Sequence, residues 1–136
     1  MNPAVMDSGV LLAAMNRRDP YHGQCRDLLT TRSWFITIPV LCVTEIAQLL
    51  ARDSDAASEA AFLRSLASSE VEQPSPEDWS RMAELVLKYA DFPLGTVDAS
   101  VIALAERLNA RTIFTLDRRH FGAVRPAHIE AFELLP

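Results

Sequence analysis

Short segments typical of β-strands alternate along this chain with segments that have helical periodicity, and this alternation restricts the fold more than any other feature. The strand-like segments are too brief for helices. They lie at residues 4–6, 34–38, 71–72, 112–115 and 132–135. This pattern predicts a three-layer α/β fold, with helices on both faces of a central, mostly parallel sheet of four to five short strands.

Helices are predicted between these strands from apolar periodicity and from start and stop signals. The first two begin at Val10 and just after Pro20. The other four run from about 40 to 52–55, from 56 to 66, from 75–78 to about 89, and from 97 to 108. The clearest start is at residues 75–78, where a serine that can cap a helix precedes a proline and two acidic residues.

Composition limits the size and environment of the protein. With 136 residues, 49% of them hydrophobic, the chain is expected to form a single domain over residues 1–136. It has no apolar run of about 18 residues and no pattern of a secretory signal, so we expect a soluble, cytoplasmic protein with no membrane segment. Cys25 and Cys42 stand apart in helical segments and suggest neither a disulfide framework nor a zinc site. The net charge of −5 argues against binding to nucleic acid by charge alone.

Two acidic residues follow predicted strands. Asp7 comes directly after the first strand, and Asp117 lies just past the strand that ends at Thr115. In open parallel sheets, ligands bind beyond the carboxyl ends of the strands, where the strand order reverses. If the two strands are neighbours, both carboxylates face one crevice. Taken singly, each residue could instead be a turn-forming aspartate.

Two more acidic residues lie along apolar helix faces. Glu45 has Leu41 and Leu49 four positions before and after it, which places its carboxylate along an apolar stripe. Asp98 has apolar residues three and four positions later and lies in the first turn of its helix. Two alternatives stay open: Glu45 could pair with an arginine or reach water at the edge of the stripe, and Asp98 could be a helix cap.

Four carboxylates beside apolar segments repel one another unless something neutralises them. Two such groups about 5 Å apart repel by on the order of 3 kcal/mol at an effective dielectric constant of about 20. A hard divalent cation removes this cost, and oxygen ligands without clustered histidine or cysteine favour Mg²⁺ or Mn²⁺. Such a site is suited to phosphodiester hydrolysis, because the cation activates water and stabilises charge on the phosphate. The predicted catalytic and metal-binding residues are Asp7, Glu45, Asp98 and Asp117.

Four motifs together resemble those of a known family. They are VMDSGVLL at 5–12, TE at 44–45, VDASVIALA at 97–105 and TLDRRHF at 115–121. In order and spacing they resemble the motifs of PIN-domain ribonucleases, and most closely those of VapC toxins of bacterial type II toxin–antitoxin modules. The resemblance covers essentially the whole chain, and the ordered set is far more specific than any single motif.

This resemblance implies a function and a set of roles. The four acids would bind the metal directly or through water, and the hydroxyls of Ser8 and Thr115 would support them. It also implies endonucleolytic cleavage of a structured RNA (a tRNA or an rRNA) that leaves a 3′-hydroxyl, homodimerisation, and inhibition by a small antitoxin protein. Many relatives have a second hydroxyl residue where this chain has Gly9; this departure weakens any claim that a hydroxyl is required at that position and leaves the four acids unaffected.

Basic residues near the acidic motifs are candidates for contacts with RNA phosphates. They are Arg17, Arg18, Arg118, Arg119 and His120. A solvated basic surface with no role in binding is the alternative. Asp91, in the loop before Asp98, fits a turn residue better than a ligand of a second cation, and we leave it outside the site.

Other enzyme classes fit less well. A haloacid-dehalogenase-type phosphatase would need a second aspartate where Gly9 stands, and a phospho-receiver domain would need a late lysine, whereas Lys88 is the only lysine. No P-loop motif is present. The remaining alternative is a non-catalytic PIN-like module that binds RNA or protein, although such modules usually lack one or more of the carboxylates.

Overall fold

Five parallel strands form the central sheet of the structure, a computed structural model that describes residues 1–136. The strands are β1 (Asn2–Met6), β2 (Trp34–Pro39), β3 (Glu70–Glu72), β4 (Thr112–Phe114) and β5 (Glu133–Leu135). The predicted strands are confirmed, with differences of one or two residues at their ends. All four pairings are parallel, so the sheet is fully rather than mostly parallel.

The strand order β3-β2-β1-β4-β5 determines where a ligand site can form. The chain adds β2 and β3 on one side of β1, then crosses to the other side to add β4 and β5. In register, Val5 of β1 lies between Thr37 of β2 and Ile113 of β4. The order therefore reverses between β1 and β4, and a crevice is expected at the carboxyl ends of these two neighbouring strands.

Seven helices connect the strands. They are α1 (Ser8–Met15), α2 (His22–Thr30), α3 (Val40–Asp53), α4 (Ala56–Ser65), α5 (Pro76–Lys88), α6 (Thr96–Arg107) and α7 (Arg118–Ala123). Helices α1 to α4 contact one another, as do α5 and α6. With right-handed crossovers and this strand order, the two groups cover opposite faces of the sheet, as the sequence predicts. No helix combines the length and the apolar composition that are needed to cross a membrane.

Helix α7 is the one helix that the sequence patterns missed. It has six residues, fewer than two turns, so it is too short to show apolar periodicity. Its signal is instead the capping residue Asp117, whose side chain accepts a hydrogen bond from the backbone N–H of His120. Helix α1 similarly begins at Ser8, two residues earlier than expected, because Asp7 caps it.

Helix α6 is the most deeply buried helix and fixes the position of Asp98. Seven consecutive residues, from Ala99 to Ala105, are buried in the main hydrophobic core, and the helix contacts both β1 and β2. Several of these residues are small, so the helix can lie close to the sheet. Asp98 immediately precedes this buried run and is therefore held against the end of the sheet.

Polar contacts fasten α5 to α6. The predicted start of α5 is confirmed as a reciprocal capping box between Ser75 and Asp78. Asp78 also accepts a hydrogen bond of 2.8 Å from Nε of Arg107. One turn further along α5, Nε of Arg81 lies 2.7 Å from Oε1 of Glu106. These side chains join the two helices beside the core and limit movement of α6.

Candidate active site

Asp7 is the most tightly held carboxylate at the carboxyl end of the sheet. It follows β1, caps α1, and is 8% exposed. Its Oδ1 accepts a hydrogen bond of 2.8 Å from the backbone N–H of Ser8, and its Oδ2 accepts one of 2.9 Å from the hydroxyl of Thr115. Burial raises its pKa most, the two hydrogen bonds oppose that rise, and the charges of Glu45 and Asp117 add to it.

Asp117 lies at the end of the neighbouring strand. Its backbone N–H donates a 2.9 Å hydrogen bond to the Thr115 hydroxyl, so Thr115 joins the two aspartates. Its carboxylate accepts hydrogen bonds from the backbone N–H of His120 at 2.9 Å and from Nδ1 of the same residue at 2.6 Å. Burial alone would raise the pKa of Asp117, but the hydrogen bonds and charge of His120 lower it overall.

Asp98 completes this group from the side of α6. Its carboxylate is 23% exposed, and its Oδ2 lies 3.7 Å from Nδ1 of His120. Burial, followed by the charges of Asp7, Asp117 and Glu45, raises its pKa to about 6, although His120 opposes this rise. The alternative that Asp98 caps its helix is wrong, because Gly95 is the N-cap and has no side chain to bond.

Glu45 lies on α3, near the same group. It is half-buried, as are Leu41 and Leu49, so it lies at the edge of the apolar stripe rather than within it. No arginine lies within ion-pair distance of its carboxylate, which removes one of the two structural alternatives. Its charge is close enough to raise the pKa of both Asp7 and Asp98. All four predicted acids therefore lie near one another at the carboxyl edge of the sheet, and Asp98 and Asp117 are the two whose carboxylate oxygens lie within 4.8 Å of each other.

The two hydroxyl residues behave differently from each other. Thr115 supports Asp7 through its side chain, as the resemblance implies. Ser8 supports Asp7 through its backbone N–H, and its own hydroxyl is buried without a hydrogen-bond partner. Burial raises the pKa of the adjacent Cys42 to about 12, so this thiol is neutral at physiological pH and is not a nucleophile.

His120 belongs to the acidic group, although the sequence placed it among residues that contact RNA. Its pKa is raised, chiefly by the hydrogen bond to Asp117, with further contributions from the charge of Asp98 and a backbone hydrogen bond to Phe92. The Phe92 ring packs edge-on against the imidazole, with 5.2 Å between centroids. The missed signal was the D-R-R-H spacing, since residues three apart at a helix start can meet.

The candidate arginines lie at two different places. Arg118 and Arg119 are exposed beside Asp117. Arg118 donates a hydrogen bond to the backbone oxygen of Pro136, and the Arg119 guanidinium lies 5.7 Å from the centre of the Phe92 ring. Arg17 and Arg18 are exposed beyond the far end of α1, an eight-residue helix that rises about 12 Å from Asp7. The second pair therefore lies at the opposite end of α1 from Asp7.

The donor set fits a hard divalent cation. It offers carboxylate oxygens from four residues, an orphaned buried hydroxyl on Ser8 and no thiolate. Burial, followed by the charges of neighbouring acids, raises the pKa of Asp7 and Asp98, a cost that a cation would relieve. Asp98, Asp117 and His120 each present a ligand atom, and these atoms lie within 4.8 Å of one another. Oxygen-rich sites of this kind suit Mg²⁺ or Mn²⁺.

Comparison with known proteins identifies the family. The PIN domain family model matches residues 4–125. The chain is 32% identical to ribonuclease VapC26 of Mycobacterium tuberculosis over 134 residues, which cover 97% of this chain and 99% of that protein.

Two solved structures with similar folds have lower sequence identity. VapC20 of Mycobacterium tuberculosis, a sarcin–ricin loop cleaving toxin, has a TM-score of 0.78 at 18% identity and covers 93% of this chain and 98% of its own. A toxin–antitoxin complex from Klebsiella pneumoniae has a TM-score of 0.70 at 17% identity, and the match covers 89% of this chain and 92% of the chain from that complex. The family match and the VapC26 relative together show that this chain belongs to the PIN domain family.

Proposed function

We propose that this chain is a metal-dependent endoribonuclease, the toxin of a bacterial toxin–antitoxin module, which hydrolyses a phosphodiester bond of a structured RNA. The observation that carries the proposal is the proximity of Asp7, Glu45, Asp98 and Asp117, because burial and the charges of these neighbours raise the pKa of Asp7 and raise that of Asp98 to about 6. The full-length similarity to ribonuclease VapC26 supports the same activity.

Mg²⁺ or Mn²⁺ is the proposed cofactor, held by the four acids. When bound, the cation supplies Lewis-acid chemistry that activates water and offsets negative charge on the phosphate. Asp7 provides the most rigid ligand, because Ser8 and Thr115 fix both of its oxygens. Glu45 and Asp98 approach from α3 and α6. Preorganised ligands of this kind need little rearrangement when the cation and the substrate bind.

Residues around the acids position the substrate in this proposal. The net charge of −5 makes the protein as a whole repel RNA, so local cations have to hold the phosphates. Arg118 and Arg119 are exposed next to Asp117 and are suited to this role. Arg17 and Arg18 could contact only an RNA that extends past the far end of α1. The substrate is a tRNA or an rRNA, and its identity depends on surface shape.

Two protein partners complete the proposal. One is a small cognate antitoxin, in line with the toxin–antitoxin complex that shares this fold. The other is a second copy of the chain. Helix α5 presents Trp79, Ala83, Val86 and Leu87 on one face, with Trp79 50% and Leu87 78% exposed. An apolar helix face of this kind is suited to a homodimer interface. The cytoplasmic location stays a prediction from the sequence.

A cleavage assay on the purified chain tests the activity. Structured RNA is incubated with the protein in Mn²⁺ or in EDTA, and product ends are mapped. We expect internal cleavage that leaves a 3′-hydroxyl, requires the metal, and falls by orders of magnitude in Asp7→Asn and in Asp98→Asn. The matched control is Asp91→Asn, because Asp91 is exposed in the turn before α6 and should be dispensable. Intact RNA under all conditions would favour the non-catalytic binding module.

Expression in bacteria tests the biological role. The chain alone should slow growth, and co-expression with a small protein encoded beside it should restore growth. Normal growth at confirmed high expression, with cellular RNA intact, would contradict the toxin assignment.

A further inference from the structure

We propose that His120 supplies a nitrogen ligand, through Nδ1, to the cation that Asp98 and Asp117 bind. The cation takes the place of the Nδ1 proton that Asp117 accepts in the metal-free protein, and this proton passes to solvent. This inference rests on the proposed function and goes beyond it, because the predicted ligand set contains only carboxylates. It concerns which atoms hold the cation and which cation the site prefers.

The first argument is the direction in which the imidazole points. Nδ1 of His120 faces two carboxylate oxygens, at 2.6 Å from Oδ2 of Asp117 and 3.7 Å from Oδ2 of Asp98. Ligands of a six-coordinate cation with bonds of about 2.1 Å are about 3 Å apart when adjacent and about 4.2 Å apart when opposite. The ligand atoms of the three residues lie within 4.8 Å of one another. A cation can therefore sit among them after shifts of a few tenths of an ångström.

The second argument is the support of the ring. The ring of Phe92 packs edge-on against the imidazole at 87°, with 5.2 Å between the ring centroids. The position of His120 in the first turn of α7, directly after Asp117, also limits its movement. The side chain is 25% exposed, so a hydrated cation can reach it.

A nitrogen ligand changes the metal preference of the site. Mg²⁺ strongly favours oxygen ligands, whereas Mn²⁺ and later divalent metals bind imidazole more readily. We therefore expect His120 to favour Mn²⁺ over Mg²⁺. If His120 only hydrogen-bonds to Asp117, its loss should weaken both metals equally.

Pulsed electron paramagnetic resonance of the Mn²⁺-loaded chain tests the ligand directly. Natural-abundance protein should show a ¹⁴N coupling to Mn²⁺, and protein grown with ¹⁵N-histidine should show the corresponding ¹⁵N coupling. The coupling should vanish in His120→Gln and persist in His22→Gln. His22 is the matched control, because it contacts the backbone oxygen of Ala13, near the end of α1 away from Asp7.

Titration calorimetry gives the second readout. In His120→Gln, the Kd for Mn²⁺ should rise about tenfold, and the Kd for Mg²⁺ by less than about threefold. A wild-type chain that binds Mn²⁺ and cleaves RNA without a histidine coupling would overturn this inference and leave the proposed function intact. An equal rise in both Kd values would overturn it as well. Failure of the wild type to bind Mn²⁺ would overturn both. The isotope comparison needs only wild-type protein, so it remains decisive if His120→Gln does not fold.

Discussion

The hydroxyl of Thr115 donates a 2.9 Å hydrogen bond to Oδ2 of Asp7, joining residues that are 108 positions apart in the sequence. The same hydroxyl accepts a hydrogen bond from the backbone N–H of Asp117. One buried side chain therefore sets the spacing between the aspartates that follow β1 and β4. Because parallel neighbouring strands bring their carboxyl ends together, this contact depends on the strand order β3-β2-β1-β4-β5.

Replacement of Thr115 by valine tests this link, since valine has a similar shape and no hydroxyl. We expect metal affinity and RNA cleavage to fall about 10- to 100-fold, as is usual when the partner of a metal ligand is removed. The free energy of unfolding should fall by about 1–3 kcal/mol, because buried hydrogen-bonding groups lose their partner. Calorimetry with Mn²⁺ and chemical denaturation measure the two effects. Thr115→Ser is the control and should retain most of the affinity; a valine variant with unchanged Mn²⁺ affinity would contradict a supporting role.

Asp98→Asn distinguishes a crowded anionic site from a set of structural acids. Removal of the charge relieves repulsion from Asp7, Asp117 and Glu45, so in EDTA the variant should melt at the same or a higher temperature than wild type. A ligand at a hundredfold excess over its Kd stabilises the folded state by about 2.7 kcal/mol, so wild type should gain several degrees in Mn²⁺. The variant should gain much less and lose cleavage. Lower stability in EDTA, combined with a full Mn²⁺ response, would leave Asp98 without a role in metal binding.

Without metal, the pH dependence of the free energy of unfolding should reflect the burial of Asp98 and the negative charges around it. The pKa of Asp98 is raised from an ordinary value of 3.8 to about 6, so the folded state binds a proton more readily than the unfolded state. Its ionisation therefore costs stability above pH 6, and that cost disappears as the pH falls from about 6 to below 3.8. The pKa of His120 is also raised in the folded protein, so protonated His120 stabilises the folded state at low pH. This stabilisation is lost as the pH rises through the pKa that His120 has in the folded protein.

Melting temperatures in EDTA at pH 5 and pH 7.5 measure this effect. The quantity to compare is the difference between wild type and Asp98→Asn, since titratable groups away from the site contribute equally in both proteins. The melting temperature of wild type, relative to that of the variant, should be higher at the lower pH. If the difference in melting temperature is the same at both pH values, the pKa of Asp98 is not raised in the folded protein.

The sequence predicted the parts of the site that depend on topology. Asp7 and Asp117 follow strands, and strand ends can be read from short apolar runs, so their meeting followed from the α/β pattern. Glu45 and Asp98 were recognisable because helical periodicity places them beside apolar neighbours.

Contacts that depend on short elements were not predictable in the same way. Helix α7 has too few residues for periodicity, so the position of His120 against Asp117 was missed. The role of Ser8 also differed, because a backbone N–H at a helix start donates whatever its side chain is. The distant position of Arg17 and Arg18 follows from the length of α1 and the turn after it, and basic residues alone do not indicate which end of a helix borders the site.

The exposed apolar face of α5 predicts the oligomeric state. Leu87→Glu should convert the proposed dimer to a monomer, because a charge in the centre of an apolar interface is left without a partner. Light scattering during size-exclusion chromatography measures the mass. Leu63→Glu is the matched control, since Leu63 is also an exposed leucine, at 50%, but lies on α4, away from this face. A dimer that survives Leu87→Glu, or a monomeric wild type, would exclude this face as the interface.

Arg118→Ala combined with Arg119→Ala tests the proposed contacts with RNA phosphates. Each phosphate contact releases counterions from the RNA, so the logarithm of the binding constant falls linearly with the logarithm of salt concentration, with a slope of about −0.7 per contact for a single strand. The double variant should weaken RNA binding and reduce that slope by about 1.4 if both arginines make such contacts. Binding is measured with Ca²⁺ in place of Mn²⁺ to prevent cleavage. The affinity for Mn²⁺ should stay near that of wild type, because neither side chain is a predicted ligand.

Arg17→Ala combined with Arg18→Ala is the matched control for charge. It removes the same two positive charges at the far end of α1, so it reports the loss of charge without the loss of contacts beside Asp117. At moderate salt, exposed charges more than about 10 Å away are largely screened, and the control should bind RNA almost as wild type does. An unchanged slope for the Arg118 and Arg119 variant would remove both residues from the RNA surface. An equal loss of RNA affinity in the two double variants would instead indicate that RNA binding depends on the total charge of the protein, because the position of the arginines would then make no difference.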